Sequence, residues 1–450
     1  MSTTLAERLQ AIVGSAHVVT DPDVLDGRSV DYTGRYRGRA SALVRPGSAD
    51  EVAAVLRECR AAEVCVTVQG GRTSLVAGTV PEHGDVLLST ERLTEIGEVD
   101  AAERRVRAGS GVTLADLQRA AAAAGLLFGV DLAARDSATV GGMASTNAGG
   151  LRTVRYGNMG EQVIGLDVAL PDGSVVHRHS QVRADNTGYD LVSLFIGAEG
   201  TLGVITSLDL RLHPIPDHRV TAVCGFTTLD ALVAAGRELR DTDAIAALEM
   251  IDRRAAALAA EHLGVPVPVE GDWLLLIELA GDTDLTERLA DALEDADLAD
   301  EPAVGIDAGA QQRLWQVRES TAEVVGLFGP PLKFDVSLPL SAIPAFAADS
   351  AALVAEHAPE AVPVLFGHIG EGNLHLNVLR CDTEQERHLY AAMMKLIAAH
   401  GGNVSSEHGI GSRKRAYLGM SREPADIAAM RAIKSAFDPT GYLNPAVLFD

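Results

Sequence analysis

Residues 131–157 read DLAARDSATVGGMASTNAGGLRTVRYG, and this stretch decides the fold. Two glycine pairs, Gly141-Gly142 and Gly149-Gly150, sit in a string of small and hydroxylated residues that is nearly free of bulky side chains. Such pairs let something approach the backbone closely. A tight crossing of the chain with itself would fit, and so would a large flat cofactor. Upstream, residues 68–78 read VQGGRTSLVAG, a short apolar strand running into Gly70-Gly71-Arg72-Thr73-Ser74. Adjacent glycines allow successive N–H groups to converge on an anion, and Thr73 and Ser74 add hydroxyl donors. No lysine follows as in a Walker loop, and the pattern is not GxGxxG. Downstream, residues 197–206 (GAEGTLGVIT) carry three glycines into a strand.

Around these clusters the chain reads as ordinary globular protein. Hydrophobic residues make up 47% and charged residues 22% of 450 positions, which excludes a disordered chain. The formal charge of −24 repels phosphate backbones and acidic headgroups, so no nucleic-acid partner is expected. No apolar run reaches the roughly 18 residues of a membrane span. The start, MSTTLAERLQAIVG, lacks the pattern of a secretory signal. Cys59, Cys65, Cys224 and Cys381 form no CxxC and read as reduced thiols, so the expected location is cytoplasmic.

Spacing predicts helices over 50–63 and 113–125, the latter between a threonine cap and a glycine. It predicts a strand at VCVTVQ and a hairpin through Pro171-Asp172-Gly173. LGVITSLDLRLHPIP is a further strand. From Pro216 the texture changes to strands (VTAVCGF, WLLLIEL) alternating with acidic alanine-rich helices, an α+β pattern with helices expected on one face of a sheet.

The ordered series VQGGRTS, ATVGG, STNAGG, VRYG, NTGYD and LFIGAEGTLGVIT resembles the FAD-binding domain of the vanillyl-alcohol oxidase type of flavoprotein. Within that superfamily the chain is similar to the branch of FAD-dependent D-2-hydroxy acid dehydrogenases, which act on D-2-hydroxyglutarate, D-lactate or glycolate. The likeness runs from about residue 40 to the C-terminus. It implies an α+β, two-domain FAD-binding fold with an α+β cap domain. Residues 1–216 would form the FAD-binding domain, 217–404 the substrate and cap domain, and 405–450 a C-terminal segment returning to the flavin. Gly70, Gly71, Arg72, Thr73 and Ser74 would wrap the FAD pyrophosphate. Asp131, Thr139, Gly142, Ser145, Asn147 and Gly149 would lie along the cofactor, Ile205 at its adenine end and Asn444 near the flavin. The 69–75 loop has no histidine, so the FAD is expected to be non-covalent. Two departures are a missing third glycine in QGGRTS and Ala446-Val447 in place of the usual Gly-Lys.

LFGHIGEGNLHLNV places His368 and His375 either side of a glycine-rich turn, where both imidazoles can converge. SSEHGIG follows with Glu407 and His408. Two histidines and a carboxylate with an open position suit a catalytic divalent metal. If the segment is extended, adjacent side chains point opposite ways, which divides the labour. Glu407 is then the third ligand and His408 the general base, as the resemblance also implies. Histidine suits that task because its ordinary pKa lies near neutrality. His83, His177 and His179 read as solvated. Of 38 basic residues only Lys333, Lys395, Lys414 and Lys434 are lysines, so Lys333 in an apolar strand stands out. Arg318 alone reads as a helix-surface charge, but the resemblance places it and Lys333 on substrate carboxylate oxygens. Asn377 shares the strand face of His375 and would reach the substrate too. Where D-2-hydroxyglutarate enzymes carry a threonine four residues after the arginine, this chain has Ala322, with Thr321 one place early.

The expected function is oxidation of a D-2-hydroxy acid, D-2-hydroxyglutarate being favoured, to the 2-keto acid. The alternatives are D-lactate or glycolate dehydrogenase, a non-enzymatic FAD-binding subunit and a metal-dependent hydrolase. Zn²⁺ is the expected metal, with Mn²⁺ and Fe²⁺ compatible with the same donors. Without cysteine clusters for an iron–sulfur relay, electrons would leave to a separate acceptor, an electron-transfer flavoprotein or a quinone. A homodimer is expected.

Overall fold

The computed structural model describes residues 3–179, 182 and 185–449; Arg183 and Ala184 of the RADNTGYD stretch lie outside the described residues. The chain divides into two compact units. One comprises Met1–Gly149, Gly157–Ile215 and Glu407–Asp450, the other Gly150–Tyr156 and Pro216–Ser406.

The first unit carries two four-stranded sheets. β1 (Val18–Val19), β2 (Ala40–Val44), β3 (Val66–Gln69) and β4 (Asp85–Ser89) pair in the order β1-β2-β4-β3. The β2-β4 and β3-β4 pairs are parallel, and parallel neighbours need a crossover. The Ala49–Ala61 helix lies in the connection between β2 and β3. It starts where Ser48 accepts the Glu51 N–H at 3.2 Å, with Asp50 and Glu51 placed to complement the helix dipole. Val52, Val55, Leu56 and Cys59 make its buried stripe and pack with β2, β3 and β4.

The strands continue as β5 (Arg105–Gly109), β6 (Leu126–Leu127), β7 (Val163–Ala169), β8 (Val175–Arg178), β9 (Val204–Arg211) and β10 (His213–Pro214). An antiparallel sheet forms in the order β5-β9-β7-β8, and β6 pairs with β10. The β7–β8 hairpin turns at Pro171-Asp172-Gly173, where Asp172 accepts the Ser174 N–H at 2.8 Å and Gly173 takes a φ of 80°. Helix Leu114–Ala123 is capped by Thr113 and followed by Gly125 at φ 70°. It joins helix Val140–Thr146 in the core against β5, β7 and β9. The C-terminal segment returns to β3: the Val66 N–H donates to Tyr442 C=O and the Asn444 N–H to Val66 C=O. Asn186–Tyr189 form an exposed turn.

The second unit is built on one seven-stranded antiparallel sheet. Its strands are β11 (His218–Phe226), β12 (Ile245–Asp252), β13 (Trp273–Gly281), β14 (Ala303–Gly305), β15 (Leu332–Ser337), β16 (Val362–His368) and β17 (Asn373–Leu379), in the order β14-β11-β13-β12-β16-β17-β15. Helices cover both faces, not one. Ala255 and Ala256 of helix Arg253–Leu263 and Leu314 and Val317 of helix Ala308–Val324 share a core with Val223, Ile251 and Leu276. On the opposite face, Tyr390 of helix Thr383–Ala399 stacks on Phe334 at 5.1 Å, and Gly236 of helix Leu229–Arg240 lies against Leu248. The strands are apolar on both sides over most of their length, so both sides must be buried. Among the described residues no helix is long and apolar enough to cross a membrane, and the four cysteines are free.

Candidate active site

In the first unit the strand-to-loop transition after β3 sets up an anion cradle. Among the described residues the Gly71, Arg72, Thr73 and Ser74 N–H groups have no hydrogen-bond partner. Gly70 to Thr73 line a cavity of about 480 Å³ with Arg28, Asp31, Tyr32 and Ser137. Arg72 adopts a left-handed φ of 59°, and its Nη2 donates to the Gly27 C=O at 3.0 Å. Burial and the neighbouring Arg28 both lower its pKa, with Glu91 opposing. Like charges brought together beside unpaired amides favour an anionic occupant. A diphosphate therefore fits this loop.

The other residues assigned to the cofactor lie in the same unit, and Thr139, Ser145, Asn147 and Asn444 bond to its backbone. Thr139 caps helix Val140–Thr146 by accepting the Gly142 N–H at 3.3 Å, and its Oγ1 would stand 2.6 Å from a Cβ at Gly70. Ser145 Oγ donates to Gly141 C=O, and its own C=O accepts from Glu199 N–H. Asn147 ends the helix at φ 52° and accepts from Gly160 N–H at 2.8 Å. Gly149 is buried beside it. Asp131 accepts from Gln118 at 3.2 Å and pairs with Arg135 at 3.4 Å. Ile205 is a core residue of β9. The Asn444 amide accepts from Val68 N–H and donates to Glu199 C=O, so its side chain ties the C-terminal segment to β3.

Glu199 is a positioning residue that sequence reading missed. Its carboxylate accepts the Ile410 and Gly411 N–H groups at 2.9 and 2.8 Å and so holds the EHGIG loop. Burial pushes its pKa up against those two bonds. Gly411 lies where a Cβ would meet Val76 C=O at 2.0 Å. The loop is bent rather than extended, which corrects the opposed-side-chain argument. Glu407 Oε1 and His408 Nε2 stand 3.5 Å apart, so the two side chains turn together. His179 also differs from expectation, while His177 is exposed as expected. His179 is held between Asp209 and Asp167, each at 2.7 Å, and His177 pairs with Asp167.

In the second unit, strand register gathers the remaining residues. Lys333 is directly opposite Asn377, and Asp335 opposite His375, across β15 and β17. Phe366 faces His375 and His368 faces Asn373 across β16 and β17, and Glu249 faces His368 across β12 and β16. Directly opposed residues of a sheet share a face, and side chains alternate along a strand. Lys333, Asp335, His375, Asn377, His368 and Glu249 therefore line one side of the sheet. The two histidines meet with Nε2 atoms 3.4 Å apart. Two nitrogens bound tetrahedrally at about 2.0–2.1 Å would be separated by about 3.3 Å. His368 Nδ1 is 2.6 Å from Glu249 Oε1, the carboxylate–imidazole contact that fixes a ligating tautomer. This donor set fits a divalent metal.

Two carboxylates here were missed from the sequence. Asp335 lies within 4.8 Å of His375, ligand atom to ligand atom, and accepts the Ser406 N–H at 3.0 Å. Glu249 is buried and held ionised: burial raises its pKa, but His368 and Arg318 outweigh that and lower it. The signal for both was a carboxylate between two apolar neighbours inside a strand, Phe334-Asp335-Val336 and Leu248-Glu249-Met250. Arg318 is no surface charge. It is buried, its Nε donates to Glu249 Oε2 at 2.6 Å, and its guanidinium lies 4.8 Å from the Phe366 ring centre. Lys333 is half-buried, with its pKa lowered by burial, and among the described residues no carboxylate pairs with it. A desolvated lysine without a counter-charge suits an anionic ligand. Thr321 Oγ1 donates to Arg318 C=O at 2.7 Å inside its own helix and is buried, while Ala322 is exposed.

Comparison with known proteins agrees with this division of chemistry. Residues 40–178 match the FAD binding domain family, and residues 215–448 match the family of FAD linked oxidases, C-terminal domain. The D-2-hydroxyglutarate dehydrogenase of Stutzerimonas stutzeri is 34% identical, with 99% of this chain and 98% of that protein covered. The protein of the same name from Xanthomonas citri is 36% identical over 98% of this chain and 96% of that one. A solved structure of p-cresol methylhydroxylase with substrate bound superposes with a TM-score of 0.82 at 17% identity, covering 99% of this chain and 96% of that chain, a likeness of fold. The chain belongs to the FAD-linked oxidases, in the branch of the FAD-dependent D-2-hydroxy acid dehydrogenases.

Proposed function

We propose that this flavoenzyme oxidises D-2-hydroxyglutarate to its 2-keto acid with the help of a divalent metal. The observation that carries the reading is the shared sheet face of Lys333, Asn377, His368 and His375. It is supported by the names of relatives that match along nearly the whole chain. FAD when bound supplies a hydride acceptor, and a divalent cation supplies a Lewis acid that lowers the pKa of the substrate hydroxyl. Gly70 to Ser74 would hold the FAD diphosphate. Asp131, Thr139, Gly142, Ser145, Asn147, Gly149, Ile205 and Asn444 complete the cofactor set in this proposal. His368, His375 and Glu407 would hold the metal, with Asp335 beside them; Glu407 follows Ser406, whose N–H is already bonded to Asp335.

The chain's own residues bind and orient the acid. Lys333 offers a point charge to a carboxylate oxygen. Arg318 spends only its Nε on Glu249, and among the described residues its terminal amino groups bond to no other group. That leaves a two-pronged edge for a carboxylate. Asn377 Nδ2 adds a donor next to Lys333. His408 accepts the hydroxyl proton at Nε2 while the α-hydrogen leaves with its electron pair. Holding the carboxylate fixes the α-carbon and removes rotational freedom before reaction.

A second reading is D-lactate, favoured by Ala322, which offers no hydroxyl to a second carboxylate. The proposal also carries a separate electron acceptor, an electron-transfer flavoprotein or a quinone, together with a homodimer and a cytoplasmic location. The test is anaerobic bleaching of the flavin band, with Zn²⁺ supplied, by each D-acid and its L-enantiomer. Bleaching by D-2-hydroxyglutarate alone supports the assignment. Bleaching by D-lactate alone transfers it to the second reading, and a protein bleached by neither acid overturns both.

A further inference from the structure

We infer that Glu249 is a shared positioning residue, holding both the arginine that grips the acid and the histidine that binds the metal. The inference rests on the proposed function and adds a residue to it. Glu249 uses one oxygen for each partner, Oε2 to Arg318 Nε and Oε1 to His368 Nδ1, both at 2.6 Å. The three side chains are almost completely inaccessible to solvent. A buried carboxylate survives only where its lone pairs are spent on donors, and here both donors belong to the site.

The geometry gives each contact a consequence. Donation from Nδ1 to Glu249 leaves His368 Nε2 as the basic nitrogen, and that atom faces His375 Nε2 at 3.4 Å. Donation from Arg318 Nε pins the guanidinium plane between Glu249 and the Phe366 ring. Phe366 in turn meets His375 edge-on, with centroids 5.7 Å apart. The strand pairs Glu249–His368, Ile251–Phe366 and Phe366–His375 lock the arrangement to the sheet. One carboxylate therefore sets the tautomer of a ligand and the orientation of a substrate clamp.

The test uses the FAD-loaded full chain. Glu249→Gln keeps the shape but places an amide donor against one of two existing donors. Stripped protein is titrated with Zn²⁺ against a chromophoric chelator, without acid. Binding of 2-oxoglutarate is measured separately by calorimetry on the metal-free form. Loss of a ligand's supporting partner typically weakens metal binding ~10- to 100-fold, and a similar loss of acid affinity is expected. Arg318→Ala serves as the comparison: it should weaken the acid and leave Zn²⁺ within about two-fold, given that it is not a ligand. A purely structural role for Glu249 would lower the melting temperature while leaving Zn²⁺ affinity of the folded fraction unchanged. That result overturns the inference, as does loss of one affinity alone. If the unaltered protein holds Zn²⁺ no better than His375→Ala does, the failure lies with the proposed function instead.

Discussion

His368 Nε2 and His375 Nε2 face each other at 3.4 Å, although seven positions and a glycine turn separate them. The 3₁₀ turn Ile369–Glu371 and Gly372 at φ 72° reverse the chain, and the β16–β17 register then aligns the rings. Two basic nitrogens pointed at one another repel unless a proton or a cation lies between them.

His375→Ala should therefore lower metal content by ~10-fold or more, with the FAD content unchanged. Elemental analysis of the purified yellow protein, beside its visible spectrum, checks this. A variant that retains full metal content would show that His375 is packing rather than a ligand.

Lys333 has no carboxylate partner among the described residues, so its removal leaves no buried charge unpaired. Lys333→Met should fold normally and raise KM for the acid ~10- to 100-fold, the size of one charged hydrogen bond. Steady-state kinetics beside thermal melting separates this from a stability defect. An unchanged KM would remove Lys333 from the acid site.

Gly71 has no room for a side chain: a Cβ there would lie 1.9 Å from Ser137 C=O. Because the obstacle is backbone, Gly71→Ala must displace the cradle itself, at a cost of ~1–3 kcal/mol for overpacking. The flavin-to-protein absorbance ratio should drop sharply. Retention of FAD at the original ratio would place the diphosphate elsewhere.

The His179 network gives the stability a pH signature. Hydrogen bonds donated to Asp209 and Asp167 raise the pKa of His179 against its burial. A raised folded pKa means the contribution is full below about 6.5, the ordinary histidine value, and is lost as pH rises through the higher folded value. Asp209 is the opposite case: burial raises it, but His179 and Arg107 lower it to about 2. Its contribution is present above about 3.9 and lost as pH falls toward about 2. His179→Gln should thus lower the melting temperature at pH 5–6 and converge with the parent at pH 9. A constant gap across that range would contradict the assignment.

Much of the chain was legible because its signals are local. A serine or threonine cap with an apolar stripe made the 49–61 and 114–123 helices readable, and Pro-Asp-Gly the hairpin. Gly70-Gly71 announced the cradle, and the IGEGN turn the histidine pair. These depend on residues a few positions apart, whose steric and hydrogen-bonding preferences act before any tertiary contact forms. Glu249, Asp335 and Glu199 were not legible. Glu249 is 119 positions from His368, and Glu199 is 211 from Ile410. Strand order and register made them neighbours, and register is set by burial of whole faces rather than by local sequence. The turning of Glu407 toward His408 likewise needed the anchored loop. The sequence by itself determined the elements and the chemistry available to them; only tertiary packing decided which carboxylates stand behind that chemistry, because desolvation and pairing exist only after distant strands have met.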